Sequence, residues 1–235
     1  MNTIEKLNLQ YRVGNYMPGD TEWLWPAEDS HCWEYFNYSE SRYFSDKKIK
    51  GYHLPNEIIP LLENKNLVIQ AGGNSGLYPY IYSQHFKNVL TFEPDYRWFY
   101  CLSVNVRADN VFKFQCAIGN DNIPVSTNIP LLKGTENLGG IFVKNGGNIP
   151  KIKIDSLGLA PNLIHLDIEG GEWEALLGAS ETIKKSKPLI VVEWDEITMH
   201  RVGWDTKKVY EMFSDFNYFL VKEWNRDKAF AYKEI

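Results

Sequence analysis

Cysteine is scarce in this chain: three residues in 235, Cys32, Cys101 and Cys116, an odd number with no Cys-x-x-Cys pair. That points to a reduced, intracellular compartment in which the thiols serve as small apolar side chains. Long apolar runs are missing too. No stretch approaches the roughly 20 residues needed to span a bilayer, and MNTIEKLNLQYR at the start lacks the apolar core of a secretory signal. Blocks of Lys and Arg are absent, and the formal net charge is −5. A protein that clings to nucleic acid by bulk charge is therefore not expected. A cytoplasmic protein with neither nucleic-acid nor membrane partners is the expectation, and the sequence says nothing of oligomeric state.

What is present is an ordinary globular composition, with 44% hydrophobic and 23% charged residues in a length suited to one large α/β domain. Eleven aromatic rings fall in the first 60 residues, among them Trp23, Trp25, Trp33, Tyr35, Phe36 and Tyr38. They lie in a segment with little periodicity. Residues 1–60 therefore read as an irregular arm that packs its rings on the domain, with a lid or substrate wall as the alternative.

From residue 66 the pattern alternates. NLVIQA (66–71) is a short apolar run ended by glycines, a buried strand, and a helix follows over 75–86. VLTFE (89–93) is the second strand. Pro94 ends it, and Asp95 caps a helix with Phe99, Leu102 and Val106 on one face. Residues 111–116 read as a third strand. A long stretch rich in Asn, Gly and Pro follows over 120–150, with strand-like pieces such as 140–143. LIHLDI (163–168) is the fourth strand, leading into one helix over 172–185 with Trp173, Leu176, Leu177 and Ile183 as its apolar stripe. LIVVEW (189–194) is the fifth. An Asp205-capped helix and a closing antiparallel pair, 218–222 and 229–232, complete the chain. The expected fold is a doubly wound, Rossmann-like α/β domain, a mainly parallel seven-stranded sheet with an antiparallel C-terminal pair.

Three features carry chemistry. VIQAGGNSG (68–76) is a glycine-rich turn between strand and helix, where the backbone comes close to a ligand and the helix start favours an anionic group. As a dinucleotide fingerprint it is imperfect, with Ala71 in place of the first glycine. Glu93 ends the next strand about 20 residues on, where an acid accepts hydrogen bonds from both ribose hydroxyls. Together these indicate a cofactor containing adenosine. HLDIEGGEWEALLGA (165–179) then sets Asp167, Glu169 and Glu172 around the carboxyl end of a central strand. Carboxylates there can orient a substrate, act as a base, or hold a divalent cation, although no dedicated metal site is expected. For Glu172 alone, complementing the helix dipole is an equal alternative. Glu193 and Asp195 stand at another strand end, where they can face substrate.

At this point the chain resembles FkbM-type methyltransferases, a branch of the class I S-adenosylmethionine enzymes. The resemblance runs over about 66–196. It rests on QAGGNSG, TFEPD, the Asn105 helix end, CAIG, KIDSL and LDIEGGEWEALLGA followed by KPLIVVE, in that order. It implies a methyltransferase domain over 61–235 with S-adenosylmethionine as cofactor. Gly72, Gly73, Asn74 and Gly76 would line the methionine end. Glu93 with Pro94 would hold the ribose, and the Gln115-Cys116-Ala117 turn would lie beside the adenine. Asp167 and Glu169 would border the methyl-transfer site. One departure is Gln70, where the usual pattern has Asp: an amide accepts a hydrogen bond but brings no charge to the cofactor's ammonium. The expected acceptor is a hydroxyl of a small molecule, sugar or glycan. Base candidates are Asp167 and Glu169, with His165 and His200 behind them, and a satisfied core histidine is the plain alternative for His165. The competing readings are a nicotinamide-dependent oxidoreductase and a cofactor-binding module without catalysis.

Overall fold

The computed structural model describes residues 11–17, 21–29, 44–45, 48–49, 53–132, 134–195, 198–199 and 202–234. Its centre is a seven-stranded sheet of β1 (Leu67–Ala71), β2 (Asn88–Phe92), β3 (Val111–Phe114), β4 (Leu163–Leu166), β5 (Leu189–Glu193), β6 (Tyr218–Glu223) and β7 (Asp227–Tyr232). The spatial order is β6-β7-β5-β4-β1-β2-β3. Strands β1 to β5 run parallel, and β7 pairs antiparallel with both β5 and β6. The expected doubly wound sheet with an antiparallel C-terminal pair is what forms. β1, β4 and β5 are covered on both faces, which is why they read as nearly unbroken apolar runs.

On one face, α1 (Leu77–Ser83) and α2 (Tyr96–Asn105) pack Ile81, Tyr82, Trp98 and Leu102 against Val68, Leu163 and Val191. On the other, α3 (Glu172–Leu177), α4 (Ser180–Ser186) and α5 (Thr206–Asp215) bring Leu176, Ile183 and Phe213 onto Ile164, Leu166 and Ile190. Both predicted aspartate caps form: Asp95 accepts from the Arg97 amide and Asp205 from the Lys207 amide.

The single helix expected over 172–185 is two. Gly178 separates them, because a Cβ there would lie 2.0 Å from the Gly119 carbonyl oxygen. The second piece restarts on a cap supplied from elsewhere: Asp155 accepts from the amides of Glu181 (3.2 Å) and Thr182 (2.8 Å). In the stretch 120–150, Val125–Asn128 pairs antiparallel with Phe142–Asn145, so the loop carries a small hairpin of its own.

Of the aromatic arm, an antiparallel hairpin of Tyr11–Met17 and Thr21–Pro26 is described. Trp23 and Trp25 are buried, edge-on to Tyr80 and Trp98 respectively. Asn105 fastens the hairpin: its side chain accepts from the Leu24 amide and donates to the carbonyls of Leu24 and Ser75. Trp33, Tyr35, Phe36 and Tyr38 lie outside the described residues.

Candidate active site

The sheet order reverses between β1 and β4, since the chain runs β1-β2-β3 outward on one side and returns to build β4 on the other. A crevice opens beyond the carboxyl ends of such a strand pair. The glycine turn leaves β1 and the acidic segment leaves β4, so both meet there. The contact is tight: the Asp167 amide donates to the Ala71 carbonyl (3.1 Å), and a Cβ on Gly72 would stand 1.8 Å from the Asp167 carbonyl oxygen. With its φ of +87°, position 72 accommodates only glycine.

The turn is knitted to the protein by its own amides. Gly72 and Gly73 both donate to the Phe92 carbonyl, Asn74 to Glu93, Ser75 to the Asn74 side chain, and Gly76 to the Gly73 carbonyl. The helix behind it has seven residues. The amides of Gly72 to Gly76 are thus engaged within the protein, and what the turn itself offers a ligand is close approach. Gln70 explains part of that rigidity. Fully buried, it donates to the carbonyls of Ala71 (3.1 Å) and Gly72 (2.8 Å) and accepts from the Thr91 hydroxyl (2.5 Å). The amide that replaces the expected aspartate braces the turn from beneath.

Glu93 follows β2 and is 6% exposed. Oε2 accepts from the Asn74 amide (2.8 Å) and Oε1 from the Asp95 amide (2.9 Å). Burial pushes its carboxyl up to about 8 in spite of those two bonds, which pull it down. Among the described residues, no ion pair reaches it. Asp95 beside it is different, since Arg97 grips it through both guanidinium and carboxylate edges (3.0 and 2.9 Å). Each oxygen of Glu93 keeps a second lone pair, so this pair of acceptors suits the two hydroxyls of a vicinal diol, and the adjoining glycine turn leaves room for what the diol carries. These residues fit an adenosyl group. Further along, Gln115 is exposed while Cys116 and Ala117 are buried at the start of a two-residue strand.

At the other side of the crevice, one carboxylate oxygen each of Asp167, Glu169 and Glu193 lie within 4.8 Å of one another. The backbone turn that presents Glu169 is left-handed, with φ 56°. Glu172 holds that turn rather than joining the group: it accepts from the amides of Ile168 (2.8 Å) and Gly170 (2.9 Å). Burial first, then the charges of Asp167 and Glu169, push Glu193 far up, and burial likewise raises Asp167. Asp227 is raised to about 7 by burial and by Asp167.

His165 is placed in the core two residues before Asp167. It is fully buried, its Nδ1 shares a 2.8 Å hydrogen bond with the Tyr82 hydroxyl, Tyr78 packs on its ring, and burial holds it down at about 3. His200 lies outside the described residues.

Arg226, at the β6–β7 hairpin tip, was legible only as a turn residue. Its guanidinium bridges Glu193 Oε1 and Asp195 Oδ2, each at 2.7 Å. It also walls a cleft of about 370 Å³ with Trp194, Trp224, Asp227 and Lys228. A cation that crosses from one strand end to another leaves no spacing signature.

No curated protein sequence matches the chain. Among solved structures, it is similar to an FkbM methyltransferase of Methylobacillus flagellatus (TM-score 0.49, 19% identity, 71% of this chain and 43% of that one). It is also similar to a precorrin-6y C5,15-methyltransferase of Geobacter metallireducens (TM-score 0.48, 13% identity, 81% and 92%). A SAM-dependent methyltransferase of Aquifex aeolicus is similar too (TM-score 0.45, 12% identity, 75% and 88%). The chain thus spans less than half the length of the Methylobacillus protein. The family description "Methyltransferase FkbM domain" matches residues 70–220, from Gln70 at the glycine turn to Leu220 in β6. The chain therefore belongs to the FkbM methyltransferase family, whose methyl donor is S-adenosylmethionine.

Proposed function

We propose that this chain transfers the methyl group of S-adenosylmethionine to a hydroxyl of a small-molecule, sugar or glycan acceptor. The observation that carries the reading is the contact between Gly72 and Asp167, which joins a turn suited to the cofactor to a cluster suited to acid–base work. In this reading Gly72, Gly73, Asn74 and Gly76 border the methionine end, Glu93 and Pro94 the ribose, and Gln115, Cys116 and Ala117 the adenine. Gln70 keeps the turn in shape. The bound cofactor supplies an electrophilic methyl group on a sulfonium.

The chain's own task is to set an acceptor oxygen beside that methyl group and to take its proton. Proximity of this kind supplies much of the rate. Asp167 or Glu169 takes the hydroxyl proton, and burial holds the Asp167 carboxyl above its ordinary value. His165 is less suited, with its ring sealed against Tyr78 and Tyr82. The cleft beside Arg226 offers Trp194 and Trp224 as apolar walls and Asp195 and Asp227 as acceptors, a lining that suits a sugar.

The test is calorimetry with S-adenosylmethionine and with NAD, followed by formation of S-adenosylhomocysteine across a panel of hydroxylated acceptors. Binding of the sulfonium compound alone and turnover lost in Asp167→Ala are expected. No heat with it at millimolar concentration would overturn the reading. Binding without turnover on any acceptor would favour a module that holds the cofactor without catalysis.

A further inference from the structure

We propose that Thr91 is a positioning residue of the cofactor site: acting through the Gln70 amide, its hydroxyl holds two peptide units of the glycine turn and the backbone of Asp167 as one body. This deepens the methyl-transfer reading and rests on it for the identity of the ligand. Gln70 and Thr91 stand opposite each other in the parallel register of β1 and β2, and both are fully buried. The residues two places earlier on each strand, Val68 and Val89, belong to the core packed under α1 and α2, so the pair lies on that face in apolar surroundings. A polar group left unpaired there is costly, and each hydrogen bond of the pair is held accordingly.

The hydrogen bonds form a chain with a direction. The Thr91 hydroxyl donates to Gln70 Oε1 (2.5 Å), which leaves the Nε2 end of the amide turned toward the glycines. Nε2 spends its hydrogens on the carbonyls of Ala71 (3.1 Å) and Gly72 (2.8 Å). At the other end of the same peptide units, the amides of Gly72 and Gly73 both donate to the Phe92 carbonyl, each at 3.0 Å. The units 71–72 and 72–73 are thus held by oxygen and by nitrogen, and neither flips without breaking a bond at each end. Beside glycine a flip is otherwise easy, since no Cβ opposes it. Thr91 Oγ1 also lies against the turn, 2.9 Å from where a Cβ on Gly73 would stand.

The Ala71 carbonyl is shared. Besides Gln70 it accepts from the Asp167 amide at 3.1 Å, so one oxygen joins β1 to the residue that leaves β4. With both amide hydrogens committed, the Gln70 side chain has no donor left for a ligand. Its part is to fix the surface against which the ligand lies, and a turn fixed beforehand spares the ligand the cost of ordering it. Loss of the Thr91 hydroxyl strands Gln70 Oε1 without its donor and frees the amide to rotate away from the two carbonyls. The turn and the Asp167 backbone then slacken together, while the rest of the sheet stays as it was.

The experiment uses the full chain and reads amide hydrogen exchange without ligand, then calorimetry with S-adenosylhomocysteine. In Thr91→Val, exchange should quicken about tenfold or more at the amides of Gly72, Gly73 and Asp167, with those of α5, β6 and β7 unchanged. Affinity for S-adenosylhomocysteine should fall about tenfold or more, and Thr91→Ser, which keeps the hydroxyl, should bring both readouts back to within about threefold of wild type. Gln70→Met removes the amide at similar volume. It should reproduce the Thr91→Val result, and it serves should circular dichroism show that Thr91→Val does not fold. Adding Thr91→Val to Gln70→Met should change neither readout further, because the hydroxyl acts through the amide. Faster exchange spread evenly over the sheet, unchanged affinity in a folded variant, failure of Thr91→Ser to restore it, or a second loss in the double variant each overturns the proposal. Should wild-type protein give no heat with S-adenosylhomocysteine, the methyl-transfer reading falls, and the exchange pattern alone decides whether Thr91 positions the turn.

Discussion

If Glu93 is the ribose anchor, nucleoside binding must depend on pH in a particular direction. The hydroxyls of a ribose donate, so the form that receives both is the carboxylate. In the free protein burial has raised this group to about 8, which leaves roughly one molecule in eleven ionised at pH 7 and one in a hundred at pH 6. Binding must draw on that fraction. The expected dissociation constant therefore tightens about ninefold from pH 6 to pH 7 and roughly fivefold more by pH 8, then flattens within about a factor of two by pH 9. At pH 7 the deprotonation to be overcome is about 1.4 kcal/mol. The probe is 5′-methylthioadenosine, which keeps the base and ribose and lacks the amino-acid end whose own titration would intrude. Isothermal titration calorimetry at pH 6, 7, 8 and 9 reads the slope. Glu93→Gln removes the titrating group; it also sets an NH₂ against one of two backbone donors, at a cost of about 1–3 kcal/mol, so its folding is checked first. In that variant affinity should be weaker and flat with pH. A wild-type constant that moves less than twofold between pH 6 and pH 8, or a slope that survives in Glu93→Gln, refutes the assignment.

Two further changes separate scaffold from site. Tyr82→Phe strips the partner from His165 Nδ1 in a sealed core, which should destabilise the fold by about 1–3 kcal/mol and lower the thermal midpoint by several degrees in calorimetry. The pH profile of turnover should stay where it was, and a displaced profile would mean that His165 takes part in proton transfer. Asp155→Ala removes the cap that starts α4 and should cost about 1 kcal/mol, or roughly 2–4 °C, with cofactor affinity unchanged. An unchanged midpoint would show that the packing of Ile183, and not the cap, sets that helix.

The sheet was legible because its central strands are buried on both faces, so LVIQA, LIHL and LIVVE stand out as apolar runs bounded by glycine, acid or proline. The caps at Asp95 and Asp205 were legible for a local reason, since each bonds two residues ahead. What escaped reading depends on residues far apart in the chain. The break at Gly178 comes from the Gly119 carbonyl and the Asp155 cap, about 60 and 25 positions away, against a helical periodicity that runs straight through. Arg226 sits in a turn whose composition signals only a turn, and its reach to Glu193 exists because β7 inserts beside β5.

The same distinction governs the site. The glycine turn and the acidic segment each announce themselves, one by its backbone freedom and the other by carboxylates behind an apolar run. Their meeting is a matter of register: Ala71 stands opposite Leu166, so the residues that follow, Gly72 and Asp167, emerge from the sheet side by side. A slip of one residue between β1 and β4 would turn His165 from the Tyr82 face to the opposite one and carry Asp167 away from the turn. The register is held by burial on both faces, where Val68 and Leu163 share one core and Ile69 and Ile164 the other. Packing of apolar side chains well below the crevice thus fixes which acid borders the glycine turn, and chemistry at the rim inherits its geometry from the core.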